Sequence, residues 1–486
     1  MASHEPRDFL LEIGTEELPA AFVQTGLSQL PMHMQRALEA ARIDHGPMQA
    51  MGTPRRLALH IEAMAATQRE ERELRTGPPV QIAFAPDGRP TAAAQGFARQ
   101  CGVTVDALRR VTKGKGEVVA AEVLHAGGPV CDVLALLVPE VCAQLHFAKT
   151  MRWGSGESAF ARPVQWLVVR FGDAGIDCSF AGVKAGEHSF GHRFLHPGPV
   201  EISAPHAYVD ALARAHVVVH PETRGAQMKA ALDQAAADLG GHYDDDFLLS
   251  ECRDLVETPH VVPGTFDAAF LRLPPALVVA VMRDHQRYFA LFDDAGALLP
   301  HYLNVTNTAK APDRIARGND RVLHARLADA RFFVDEDRKV PLETRAAGLD
   351  AVVFHAKLGS IGDKAKRIAH LLPALAQAAR LDLDPALQAR AARLCKADLL
   401  SLAVGEFPEL QGVMGADYAR AGGEDEAVAQ AIEQHYWPRF AKDKLPNAPL
   451  AALLAVADRL DTLVGCLGVG LKPTGSADPF ALRRIA

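Results

Sequence analysis

The chain has 486 residues, with 52 Lys and Arg against 59 Asp and Glu for a formal charge of −7; at roughly 150 residues per domain it holds about three domains. Its 49% hydrophobic and 23% charged residues exclude a disordered chain, a collagen and a disulfide-rich miniprotein. The acidic balance excludes a globally basic nucleic-acid binder but leaves room for a local cationic surface, because a partner feels the local field rather than the net charge.

Cys101, Cys131, Cys142, Cys178, Cys252, Cys395 and Cys466 are scattered and never spaced C-x-x-C. Zinc ribbons and thioredoxin chemistry are therefore unsupported, and a reducing, cytoplasmic setting is expected. The first eight residues carry two acids and no apolar core, unlike a secretory signal. No apolar run approaches the roughly 18 residues of a spanning helix, so no membrane partner is expected. Val133–Val141 is broken by Pro139 and Glu140.

In chain order, Phe9–Ile13 predicts a buried strand ended by Gly14. Apolar spacing predicts a helix over Pro19–Ile43, interrupted at Pro31. Arg56–Ala63 alternates Leu57, Leu59 and Ile61 with Ala58, His60 and Glu62, the pattern of a half-buried strand. Thr67–Pro79 reads as loop, Glu117–Leu124 and Val164–Phe171 as strands, and Pro129–Leu145 as a helix between them. Glu222–Leu239 is a predicted helix bounded by Pro221 and Gly240-Gly241. Pro275–Asp284 predicts a short helix, Arg287–Phe292 and Leu298–Val305 a hairpin, and Asn319–Asp337 another helix. Past Val340 strand signals nearly vanish, and Ala351–Arg380, Pro385–Leu402, Asp425–Tyr436 and Leu450–Val464 have helical periodicity. The fold class is read as α+β, with mixed domains at 1–160 and 161–340 followed by an all-α domain at 341–486.

The familiar catalytic signatures do not occur: no G-x-x-x-x-G-K-[ST] loop, no G-x-S-x-G elbow, no H-E-x-x-H helix. Lys113-Gly114-Lys115-Gly116 reads as a tight turn rather than a phosphate cradle. In Gly14-Thr15-Glu16-Glu17-Leu18-Pro19, Thr15 is expected to cap a turn, with both acids at its positive end; acid–base work is the alternative. His285 is a candidate general base, with a helix-end histidine bonded to a carbonyl as the favoured reading. His355, Asp398 and Asp458 fall on three separate predicted helices, a placement that can build a metal site in a bundle. Asp458 and Asp461 share a helix face. Caps or ion pairs with nearby Lys and Arg are the simpler reading of these acids.

Taken together, several stretches resemble one family. They are Leu10–Pro19, Thr53–Leu57, Lys149–Gly154, Arg162–Leu167, His285–Phe289, Gly318–Leu323, Ala325–Phe333, Glu406–Gly412 and Pro473–Arg484. In this order they are similar to the β subunits of bacterial two-subunit glycyl-tRNA synthetases. That resemblance implies ATP-dependent attachment of glycine to tRNA(Gly), with the adenylate-forming core on a separate α subunit. It implies an α2β2 tetramer, ATP and Mg used through the α subunit, and a β chain that binds tRNA and holds no catalytic, cofactor or metal residue of its own. The HIGH and KMSKS signatures of the other synthetase class are absent.

The family's helical part resembles an HD domain, whose metal pattern is His, then His-Asp, then Asp. Here His355 and Asp458 match the ends, but the middle pair is Ala397-Asp398. A degenerate HD-like scaffold is expected, with a metal-dependent phosphohydrolase as the alternative. Arg55 and Arg56 at a strand entrance, and Lys364, Lys366 and Arg367 on a helix, are the candidate phosphate contacts for tRNA. Alternation is expected to send Arg55 and Arg56 to opposite faces; a solvated charged face is the plainer reading of the lysines. The chain stops at Ala486, as Asp478-Pro479 reads as the start of a helix. The family's C-terminal anticodon-binding domain is expected to be absent.

Overall fold

In the computed structural model of the protein, residues 5–114, 116–473 and 478–486 are described; Lys115 of the glycine–lysine turn and residues 474–477 of the last motif lie outside them. The first strand, Arg7–Thr15, is apolar on both sides, and so is the sheet around it. Strand order is Ser179–Phe180, Val183–Gly186, Val164–Phe171, Arg7–Thr15, Arg56–Met64, Met48–Thr53, with Ala174–Gly175 paired on Val164–Phe171. The pairs are antiparallel except Val183–Gly186 on Val164–Phe171.

One face sends Leu11, Ile13, Leu57, Leu59 and Leu167 against the helices Ala20–Ala40 and Val130–Ala143. The other sends Leu10, Ala58, Trp166 and Val168 against Tyr208, Leu212, Val217 and Val219. Ala58 is therefore fully buried, where the alternating pattern predicted a half-buried strand. Gly14 lies within its strand, not at its end. A Cβ there would meet the Trp166 ring at 1.9 Å, so only glycine lets the indole lie across the backbone.

Two other expectations change in this unit. Ala20–Ala40 runs unbroken through Pro31, with Leu30, Met34 and Leu38 all buried. That packing offsets the lost hydrogen bond and ring clash, about 3 kcal/mol in a helix interior. Glu71–Pro79, read as loop, is a strand paired with Gly116–His125, whose other partner is Arg109–Lys113. It is mostly exposed, with four charged residues in nine, so backbone ladders hold it and no burial pattern advertises it. Lys113 pairs directly with Gly116 in that sheet, with Gly114 at φ +64, the tight turn expected.

The helical unit is built on Pro312–Arg338, Ile361–Ala379, Pro385–Leu394, Val413–Ala421, Glu426–Gln434 and Pro449–Gly468. Tyr288–Phe292 and Leu298–Thr306 form the expected antiparallel hairpin. The predicted helix from Ala351 starts ten residues late, at Ile361. Val353–His355 and Gly359–Ser360 pair as short strands, and Ser360 and Asp363 form a reciprocal capping box at 3.0 Å each way. His355 thus lies in a strand and Asp398 in the 3-10 turn Ala397–Leu400, while Asp458 alone keeps its predicted helix.

The chain gathers into two compact units: 1–231 with 246–260 and 305–310, and 232–245 with 261–304 and 311–486. Neither 160 nor 340 divides them. Val164–Phe171 pairs with the first strand along its length. Pro312–Arg338 buries Leu323, Leu327, Ala330 and Val334 in the helical core.

Candidate functional site

The helical unit encloses a chain of charges. Asp458, on Pro449–Gly468, presents Oδ1 to the Lys364 ammonium at 2.8 Å and Oδ2 to the Lys396 ammonium at 2.9 Å. Lys364 also donates to Asp461 Oδ2 (3.1 Å), Thr462 Oγ1 (2.7 Å) and the Asp458 carbonyl (3.0 Å), and lies over the Phe354 ring. Lys396 donates to His435 Nε2 at 2.8 Å and lies 4.0 Å over the Tyr436 ring. His435 Nδ1 donates to the Ile432 carbonyl at 2.7 Å, so Nε2 is the acceptor and the ring is neutral. Burial, reinforced by Lys396, pushes His435 down to about 3. Burial alone would raise Asp458, but Lys396 and Lys364 outweigh it and hold the carboxyl well below its usual range.

A metal does not fit this donor set. The acid that would anchor it already has an ammonium on each oxygen, and a divalent cation would displace both. Asp398 is turned away: its Oδ2 accepts from the Gly412 and Gly415 amides at 2.6 and 3.1 Å. A Cβ at Gly415 would meet that oxygen at 2.9 Å. Burial raises Asp398 to about 6 against those bonds. Ala397 is fully buried and supplies no ligand. His355 Nδ1 accepts from the Lys357 amide at 3.1 Å, and its ring meets the Phe480 ring at 6.0 Å.

The sheet unit has its own buried centre. Arg56 is completely buried between Glu257 (2.8 Å) and Glu12 (3.3 Å), and it donates to Ser189 Oγ at 3.0 Å. Ser189 in turn donates to Glu12 at 2.7 Å, and Thr53 to Glu257 at 2.9 Å. Arg55 bonds the Gly191 carbonyl at 3.0 Å and reaches Glu257 at 3.4 Å. Both guanidinium groups lie 5.4 Å from the Trp166 ring. They do not go to opposite faces, because Arg55 precedes the strand and escapes its pleat.

The basic candidates are therefore mostly spent internally. Arg56 and Lys364 are buried. Arg367 pairs with Asp461, its Nη2 at 3.1 Å from Oδ2. Lys366 is exposed and pairs with Asp350 (3.0 Å) and Asp363 (3.4 Å). Thr15 does not cap: Pro19 precedes the helix, and the Thr15 hydroxyl is buried without a hydrogen bond. Glu16 and Glu17 pair with Arg193 at 2.8 and 3.4 Å. His285 stacks on Phe407, centroids 5.0 Å apart, rather than bonding a carbonyl.

Sequence reading missed Lys396, His435, Glu12 and Glu257. Lys396 was detectable, since it immediately precedes the Ala397-Asp398 pair. Glu257 lies 201 residues from Arg56, and no local spacing joins them.

The model of the family described as glycyl-tRNA synthetase beta subunit matches residues 9–486. A relative from Geobacter sulfurreducens, called glycine–tRNA ligase beta subunit, is 44% identical over 99% of this chain and 70% of its own. One from Myxococcus xanthus is 45% identical over 98% and 68%, and one from Moorella thermoacetica 45% identical over 99% and 70%. No helix among the described residues is long and apolar enough to cross a membrane. With the motifs of both units in family order across its length, the chain belongs to the glycyl-tRNA synthetase beta subunit family.

Proposed function

We propose that this chain is the noncatalytic component of a glycine–tRNA ligase, binding tRNA(Gly) and docking an α subunit that carries the adenylate chemistry. ATP and Mg are used on that subunit, in a cytoplasmic α2β2 assembly. The observation that carries the noncatalytic reading is the helical centre, where Lys364 and Lys396 neutralise Asp458 from both sides. In this reading the HD-like fold is a scaffold in which the chain's own ammonium groups supply the charge that a metal would bring. The phosphohydrolase alternative has no observation in its favour.

The deciding experiment is glycylation by the α subunit with and without this chain, alongside ATP–pyrophosphate exchange by each alone. The expected outcome is exchange with the α subunit, none with this chain, and efficient glycylation only with both. Glycine-dependent exchange by this chain alone overturns the assignment. Phosphomonoester hydrolysis with Mn²⁺ or Mg²⁺, lost on Asp458→Asn, restores the alternative.

A further inference from the structure

With Arg56 and Lys364 buried, the RNA-facing charge has to be sought elsewhere. The long helix Pro312–Arg338 buries one stripe in the core and leaves Arg314, Arg317 and Arg321 exposed. Spacings of three and four put them on one face, over about 10 Å of helix axis. Among the described residues none of the three has a carboxylate partner. Some exposed arginines elsewhere do, Arg72 with Glu122, Arg338 with Asp417 and Arg420 with Glu426, while others such as Arg99, Arg214 and Arg326 do not; what sets these three apart is that they share one helix face. Of the acids nearby on the helix, Asp320 is committed, its Oδ1 accepting from the Tyr302 hydroxyl (2.7 Å) and the Thr265 amide (3.0 Å). Asp313, exposed in the first turn, lies four residues before Arg317 and so beside it, with no ion pair formed between them.

Gly318 is a second, independent observation. It follows Arg314 by four and precedes Arg321 by three, so it lies between them on that face. A glycine inside a helix weakens it, and a Cβ here would meet nothing within 4 Å. No internal contact requires the glycine. The gap does allow another molecule to ride close on the helix backbone between two guanidinium groups.

We propose that Arg314, Arg317 and Arg321, with Gly318 between them, form a phosphate-binding ridge that takes the sugar–phosphate backbone of tRNA; this rests on the tRNA-binding role proposed above. Planar guanidinium forks unengaged by carboxylates match phosphate oxygens. A convex row of cations with open space at Gly318 suits a continuous phosphate backbone better than a folded acidic protein. Such contacts position RNA without reading its sequence.

The test uses the full chain with its α subunit, and compares wild type, R314Q/R317Q/R321Q and Gly318→Ala for tRNA affinity between 50 and 200 mM salt. Three phosphate contacts account for roughly 20- to 40-fold of affinity over that interval. The triple variant is expected to lose that much of the salt dependence, equally for different tRNAs. Gly318→Ala is expected to keep or raise the thermal midpoint while weakening tRNA binding several-fold, a combination that damage to the fold cannot produce. Wild-type binding with an unchanged slope in the triple variant removes the ridge and leaves the role standing. Loss of α-subunit co-purification at unchanged tRNA affinity makes the ridge a protein-docking face and overturns the RNA assignment. Absence of tRNA binding in wild type, with glycylation independent of this chain, overturns the role itself.

Discussion

The two buried ionic centres, one in each compact unit, share out their cations differently. In the sheet unit Glu12 and Glu257 converge on Arg56, and only Glu257 gains a second cation, Arg55. In the helical unit Asp458 has an ammonium on each oxygen. Burial penalises all three carboxylates. Glu12, sharing a single guanidinium, stays raised. At Glu257 and Asp458 burial is outweighed by two cations, and both are lowered. The number of facing cations thus decides the sign of the shift, and the depth of burial does not.

The largest expected effect comes from removing the acid of the cation-rich centre. Asp458→Asn leaves Lys364 with Asp461 and Thr462 but leaves Lys396 with the neutral His435 and the Tyr436 ring, and with no carboxylate in hydrogen-bond contact. An uncompensated buried charge costs about 3–5 kcal/mol, to be read from urea unfolding. Lys396→Met on that background is expected to recover more stability than Lys364→Met does. Replacing all three groups by apolar side chains of similar volume is expected to be neutral, or to stabilise by about 1–4 kcal/mol. If the two lysine replacements rescue equally, the distinction between them is wrong.

Next in size is a pH effect within the helical unit, where two neighbours of Lys396 titrate in opposition. His435 lies at about 3, below its ordinary 6.5, so its contribution is complete above 6.5 and is lost as the pH falls toward 3. Asp398 lies at about 6, above its ordinary 3.8, so its contribution is complete below 3.8 and is lost as the pH rises through 6. Between those limits the slopes oppose each other, each at most about 1.4 kcal/mol per pH unit. Relative to wild type, Asp398→Asn is expected to lose stability faster on acidification from about pH 6 to pH 4. His435→Gln is expected to lose it more slowly, or to gain. Unfolding at both pH values reads the slopes, and parallel slopes in wild type and both variants break the account.

These centres also show what a sequence makes legible. The sheet and helix identities were readable because periodic burial writes itself into Leu57, Leu59 and Ile61 or into Leu323, Leu327 and Val334. Glu71–Pro79 escaped because its stability is in backbone pairing while its side chains face water. The start of Ile361–Ala379 was missed through its capping box, although Ser360 and Asp363 are the right residues at the right spacing. Family membership was legible from ordered motifs. The fate of the basic motifs was not: a charge in sequence does not say whether its partner, such as Glu257 for Arg56, is 201 residues away. The spacing of Arg314, Arg317 and Arg321 went unread, and their lack of carboxylate partners among the described residues is a property of the fold.

The smallest expected effect separates the two acids of the sheet unit. Glu257 accepts from Arg56, Arg55 and Thr53, and Glu257→Gln leaves the fully buried Arg56 with Glu12 alone as counter-charge. Glu12→Gln removes the carboxylate whose charged form burial already penalises. The amide oxygen can still accept from Ser189 and Arg56, the partners at 2.7 and 3.3 Å. Its nitrogen would replace Oε2, which no hydrogen bond of good geometry reaches, beside the buried Tyr208 hydroxyl. Glu257→Gln is expected to cost about 2–3 kcal/mol, in the range of a hydrogen bond to a charged group, and Glu12→Gln under about 1 kcal/mol. Urea midpoints at unchanged m-value measure both. Equal costs, or the reverse order, would mean that the count of facing cations does not govern how these buried acids contribute.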